Sequence, residues 1–257
     1  MNLHPVVVVA RFTLLEAART RLPWTALLVI MSGVVMAECA AGLALTDSQS
    51  YRIELYAVWT RVALVFCAAL FVATSVVREL ADRAIDLTLS RPLSRAAWFI
   101  GRVAGHSAAL AVVALVAALP LAFTSAPLAA LAWGVSLAAE LGLVAAATLS
   151  CAVALSQVTA TVLAVAAFYL LSRVMGAIVL MSTGPAVDAE AWSSLLIAQL
   201  VHWLALLLPA LDDYTRTAWL ADGSLAFAAL PAIVVQTAIY AVLLVAVGLF
   251  DFTRREI

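Results

Sequence analysis

Six apolar runs, each long enough to cross a lipid bilayer, set the solvent of this chain before any other feature is considered. A helix rises about 1.5 Å per residue, so about 20 apolar residues span the hydrocarbon layer. The runs are Trp24–Leu45, Tyr56–Val77, Ala97–Leu119, Leu128–Val153, Val158–Met181 and Ala228–Phe250. Composition agrees: 66% of the residues are hydrophobic and 11% charged, against about 45–50% and about 25% in soluble domains. The pattern predicts an all-α integral membrane protein, one domain over residues 1–257, with six transmembrane helices. Breakers fall between the runs: Pro23 before the first, Thr124 to Pro127 between the third and fourth, and Leu155-Ser156-Gln157 between the fourth and fifth. A seventh apolar stretch, Leu195–Leu208, contains Gln199 and His202 and stops at Pro209. It is short for a span and reads as a re-entrant or interfacial piece.

Arginine placement orients the bundle. With six spans, Arg11, Arg19, Arg21, Arg78, Arg83, Arg91, Arg95, Arg102, Arg254 and Arg255 share one side, while Arg52, Arg61 and Arg216 lie toward the other. The positive-inside rule makes the first side cytoplasmic. Both termini are then cytoplasmic, and residues 182–227 lie outside, where acids collect. A seventh span would place Arg254 and Arg255 outside. The arginines before the first run are not followed by a clear cleavage site, so the N-terminus reads as an uncleaved anchor. Residues 6–22 read as an amphipathic elbow helix, with Val8, Phe12, Leu15, Arg19 and Leu22 along one line and Trp24 in the headgroup layer. The competing reading is that this segment simply begins the first span.

Several residues inside the apolar runs invite chemistry. Glu140 and Arg173 lie at matching depth on the two spans joined by the Ser156 turn. A charge facing lipid costs at least about 2.5–3.5 kcal/mol, so each needs protein, water or a partner. The two are candidates for an intramembrane polar pair, either lining a path or serving as a structural ion pair. Gly101-Arg-Val-Ala-Gly105 has the small-x-x-x-small spacing of close helix contacts. His4, His106 and His202 are scattered, and Cys39, Cys67 and Cys151 lie far apart in apolar runs, which argues against a metal site or a disulfide framework. All fourteen basic residues are arginine. Without lysine the chain has no P-loop of its own and no Schiff-base chemistry.

The segment from Arg78 to Arg95 concentrates Arg78, Glu79, Asp82, Arg83, Asp86, Arg91 and Arg95 between two spans. Opposite charges at Arg78/Asp82 and Glu79/Arg83 support a helix, Leu80, Ala84 and Leu87 give it an apolar line, and Pro92 ends it. Ser94 can then cap the next span. A docking helix for a soluble partner and a solvated topology anchor fit this charge content equally well. The order of an apolar span, Arg-Glu, a short helix, Leu-Ser-Arg-Pro-Leu-Ser-Arg and Gly-Arg-x-x-Gly resembles the first cytoplasmic loop of type-2 ABC exporter permeases. "ARFTLLEAARTRLPW" resembles the elbow helix of that family and "FDFTRREI" its basic tail. "LLLPALDDYTRTAWL" is similar to a segment before the last span in the multicopper-enzyme-maturation group. Arg83 and Ala84 stand where the family usually has Gly-Thr.

The resemblance implies a non-enzymatic permease subunit of an exporter in a bacterial inner membrane, with residues 182–227 as its outward-facing gate segment. It implies a homodimer around a substrate path and two copies of an ABC ATPase that carry ATP and Mg, so this chain holds no cofactor. The loop would be the coupling helix, with Glu79, Leu80, Asp82, Arg83, Asp86 and Leu87 as ATPase-docking residues. Membrane lipid is a further partner and nucleic acid is not. A membrane-embedded enzyme or redox subunit and a secondary transporter are the other classes; neither has a supporting motif.

Overall fold

The computed structural model describes residues 3–43, 47–82, 94–182, 192–221 and 223–254. Every regular element among them is helical: α1 (Leu3–Arg19), α2 (Leu22–Leu43), α3 (Ser48–Ala81), α4 (Arg95–Ala117), α5 (Leu119–Thr124), α6 (Pro127–Leu155), α7 (Val158–Ser182), α8 (Trp192–Leu207), a 3-10 turn (Leu211–Asp213), α9 (Ala218–Ala221) and α10 (Gly223–Arg254). Six segments are long and apolar enough to cross a membrane: α2, α3, α4 with α5, α6, α7 and residues 228–254 of α10.

The boundaries follow local chemistry. The break before the first span falls at Thr20 and Arg21, with the Thr20 hydroxyl donating to the Ala17 carbonyl. Pro23, expected as the breaker, instead lies in the first turn of α2, where an amide proton has no helical partner to lose. Ser94 caps α4 by accepting the Ala97 N–H at 3.2 Å. Pro127 opens α6, and Ser156 ends it in the left-handed region at φ 54°. Helix α3 has 34 residues, about 51 Å at 1.5 Å per residue, and so outruns the bilayer at both ends. Its last turn takes in Arg78–Ala81, which the sequence assigned to a separate loop helix.

Helix α6 is the hub. It packs against α3, α4, α7 and α10, and 67% of its most apolar window is buried, against 11% for that of α10. Its buried face carries Trp133, Leu137 and Leu141 and then small residues, Ala145, Ala146 and Ala152. Small side chains let helices approach where lipid leaves no hydrophobic force to draw them together.

The same rule governs how α1 faces its neighbours. Val8, Phe12 and Leu15 are exposed, whereas Val6, Thr13 and Ala17 are buried. The buried line lies on α4: a Cβ at Gly101 would stand 2.7 Å from the Val9 Cβ, and one at Gly105 would stand 2.5 Å from the Thr13 Cβ. Lipid takes the large side chains and the helix partner takes the small ones. The close contact expected of Gly101 and Gly105 is present, and its partner is α1.

The stretch between the fifth and last spans is short and broken. Residues 196–207 and 211–220 meet at a bend of 65°. The turn at the bend, residues 208–217, folds back onto α3, α6, α7 and α10 through the bonds described next.

Candidate functional site: a polar knot at each end of the bundle

At the loop end, Arg102 of α4 is the centre. Its side chain is 4% exposed. One Nη reaches Glu16 Oε2 of α1 at 2.6 Å and Thr13 Oγ1 at 3.3 Å, and the other meets Glu79 of α3. Ser75 of α3 donates to the second Glu16 oxygen at 2.8 Å. The guanidinium lies 5.9 Å from the Trp98 ring. One buried cation thus ties together α1, the end of α3 and the start of α4. Burial acts to raise the Glu16 carboxyl, but the Arg102 charge and hydrogen bond, together with the Ser75 hydroxyl, outweigh it and hold the group below the usual carboxylate range.

A second fastening lies beside it. Arg95, the first residue of α4, donates to the Phe252 carbonyl at 3.3 Å and stands 5.9 Å over the Phe252 ring. Trp98 and Phe99 pack on the same ring at 5.3 and 6.3 Å. Cations suit helix C-termini, where unpaired carbonyls accumulate, so Arg95 binds the end of α10 to the start of α4. Both stems of the loop are therefore anchored, one to α1 and one to α10.

This geometry changes the reading of the loop residues. Glu79 turns inward to Arg102 and belongs to the loop's base. Leu80 packs against the core, and Asp82 is exposed just beyond α3. Arg83, Asp86 and Leu87 lie outside the described residues.

At the other end, Glu140 of α6 is the centre, and it is fully buried. Arg173 of α7 stands 3.7 Å from Oε1. Tyr169 donates to the same oxygen at 2.8 Å, and Thr215 donates to Oε2 at 2.9 Å. Arg173 also donates to the Leu211 carbonyl and, at 3.1 Å, to the Tyr214 carbonyl. The Thr215 N–H donates to Ser136 Oγ at 3.0 Å, and Arg61 of α3 reaches Thr215 Oγ1 at 3.4 Å. Tyr214 is buried, with its hydroxyl 2.8 Å from that of Thr237 on α10. The structure brings Glu140 and Arg173 together and adds what the sequence did not suggest: their joint target is the 208–217 turn. Thr215 holds φ at 48°, an uncommon state for a β-branched residue, and four hydrogen-bonded contacts surround it. At Gly176 any side chain would collide with Asp212.

The sequence places Arg102 among the loop-side arginines and inside the Gly101–Gly105 motif, and it does not single out Glu16, Tyr169 or Thr215. Their signal was present, since buried polar groups require partners, but the partners are distant in the chain.

Long apolar helices around a small-residue hub, with charges sequestered in two knots, define a multi-pass α-helical membrane protein. The ABC-2 family transporter protein domain matches residues 11–257. The chain therefore belongs to the ABC-2 transporter family, as a membrane component of an ABC transport system, a class that works with an ABC ATPase. A search of curated proteins gives no match.

Proposed function

We propose that the chain is the permease subunit of an ATP-driven exporter and that the 78–95 loop receives the stroke of the ATPase. Two copies pair around the substrate path in a bacterial inner membrane, with both termini cytoplasmic. Two ATPase subunits, carrying ATP and Mg, dock beneath them. The observation that supports this reading is the double anchoring of the loop: Arg102 fastens one stem to α1 through Glu16 and Glu79, and Arg95 fastens the other to α10. A loop that only joins two spans gains nothing from such attachment, whereas one that transmits force needs a stiff base. Helix α10 extends the connection. It runs from the Arg95 clamp to Tyr214 and Thr237 at the 208–217 turn, so displacement of the loop reaches the turn along one continuous helix. Residues 182–227 then act as the external gate.

The test is co-purification with the partner ATPase from inner membranes. Arg83→Glu is expected to insert and dimerise normally and to retain less ATPase; Arg102→Gln is expected to weaken ATPase stimulation more than ATPase binding, because it loosens the base and not the docking surface. Labelling from outside is expected to mark Ser224→Cys and spare Ser90→Cys. Absence of any bound ATPase, or full function after substitution of all six proposed docking residues, would reduce the loop to a topology anchor.

A further inference from the structure

A groove of about 450 Å³ runs between the α1–α2 junction and α4. Its walls include Ala18, Leu22, Ala26 and Ile30 on one side and Ala109 and Val113 on the other, and every residue that lines it is apolar. The volume falls within the range of about 300–1,000 Å³ of ligand sites. Its rim has a different character. Ala18 and Leu22 of the wall bracket Arg19 and Arg21, both exposed. Neither has a carboxylate partner among the described residues, since the one acid of the same helix, Glu16, is taken by Arg102. Trp24 follows at 75% exposure, an aromatic of the kind that sits at the headgroup level.

We infer that this groove is a binding site for an anionic phospholipid, with one acyl chain between α2 and α4 and the headgroup phosphate on Arg19 and Arg21. A purely apolar cleft alone would accept any lipid tail. Selectivity comes from the rim, where two exposed cations, two positions apart in sequence, lie at the end of α1 with no carboxylate partner among the described residues. The carbonyls there offer nothing to an anion, so the arginine side chains must carry the headgroup. The site is independent of the ATPase reading, because it uses neither the loop nor the turn. It does touch α1, whose seating on α4 positions Glu16 for Arg102, so a lipid in the groove bears on the same helix that holds the loop's base.

The experiment is native mass spectrometry of the delipidated full chain, titrated separately with palmitoyl-oleoyl phosphatidylglycerol and phosphatidylcholine. Phosphatidylglycerol is expected to be retained preferentially. Each of Arg19→Gln and Arg21→Gln should lower that preference about fivefold, and Arg11→Gln, an exposed arginine of the same helix away from the rim, should leave it unchanged. Ala18→Trp, a substitution at an exposed position of the groove wall, should reduce retention of both lipids. Equal retention of the two lipids by the unaltered chain would overturn the proposal. So would an undiminished preference in Arg19→Gln/Arg21→Gln. A shift in oligomeric mass with Ala18→Trp, at unchanged lipid retention, would assign the groove to a second copy of the chain and overturn it equally.

Discussion

The two knots solve the same problem with opposite centres. At the loop end the buried hub is a cation, Arg102, and its two carboxylate partners are 39% and 31% exposed. At the turn end the buried hub is an anion, Glu140, fully enclosed, while Arg173 is 19% exposed. An arginine can bury its stem and fork while its acids remain at the edge of water. A carboxylate has no such reach, so Glu140 must be satisfied on the spot by Tyr169, Thr215 and Arg173. The targets differ too. Arg102 binds side chains of neighbouring helices and fixes where those helices sit. Arg173 binds main-chain carbonyls of the 208–217 turn and fixes a conformation. The loop end therefore positions helices and tolerates water, whereas the turn end specifies one backbone geometry and excludes it.

This contrast predicts a graded set of responses. Glu140→Ala should have the largest effect. It leaves Arg173 without its buried counter-charge and strands the Tyr169 and Thr215 hydroxyls, and breaking a buried pair on one side costs about 3–5 kcal/mol. Thermal melts in detergent should show that loss, with Glu140→Gln losing less because an amide oxygen still accepts one hydroxyl. Equal losses in the two variants would mean that charge, and not the hydrogen-bonded socket, sets the geometry. A charge exchange at Glu140 and Arg173 should recover part of the loss only if the turn carbonyls can re-pair.

Tyr214→Phe probes the link between the turn and α10. It removes one hydrogen-bonded hydroxyl and keeps the ring, so it should cost about 0.5–1.5 kcal/mol. Amide exchange at residues 208–217 should rise while exchange at the start of α4 stays constant. A change at both ends would show that the knots are coupled through α10 even at rest.

The smallest effect belongs to Glu16, which is partly exposed. Its carboxyl is held below the ordinary value of 4.5. A depressed acid contributes stability that is complete above the unfolded value and is lost as pH falls through the folded one. Melts of the unaltered chain and of Glu16→Gln should therefore differ at neutral pH and converge on acidification below about 4.5. A gap that persists at low pH would mean that Glu16 acts through packing and not through Arg102.

Much of the fold was legible because membrane spans are dictated locally. A run of about 20 apolar residues must satisfy its own backbone in lipid, and a helix does so whatever surrounds it. The Ser94 cap, the Thr124–Pro127 joint and the Ser156 turn were readable for the same reason: each depends on residues within one turn of itself. The pairing of Glu140 with Arg173 was approachable from sequence because both sit at equal distance from one tight turn. Thr215 was not, since nothing near residue 215 indicates that its hydroxyl will meet a carboxylate 75 positions earlier.

Facing was the harder question, and α1 shows why. In water an amphipathic stripe identifies the buried side. In lipid, Val8, Phe12 and Leu15 can remain outward at no cost, and the packed side is chosen by close approach to Gly101 and Gly105. Sequence alone determined that this chain lies in a membrane, how many helices can cross it, and that its few internal charges must be paired. Tertiary structure decided which helix meets which, that Arg102 gathers Glu16 and Glu79, and that Glu140 holds the 208–217 turn. The physical reason is reach: helix formation and the cost of a charge in lipid act within a few residues, whereas the partners of a buried charge come from whichever segments packing brings within about 3 Å.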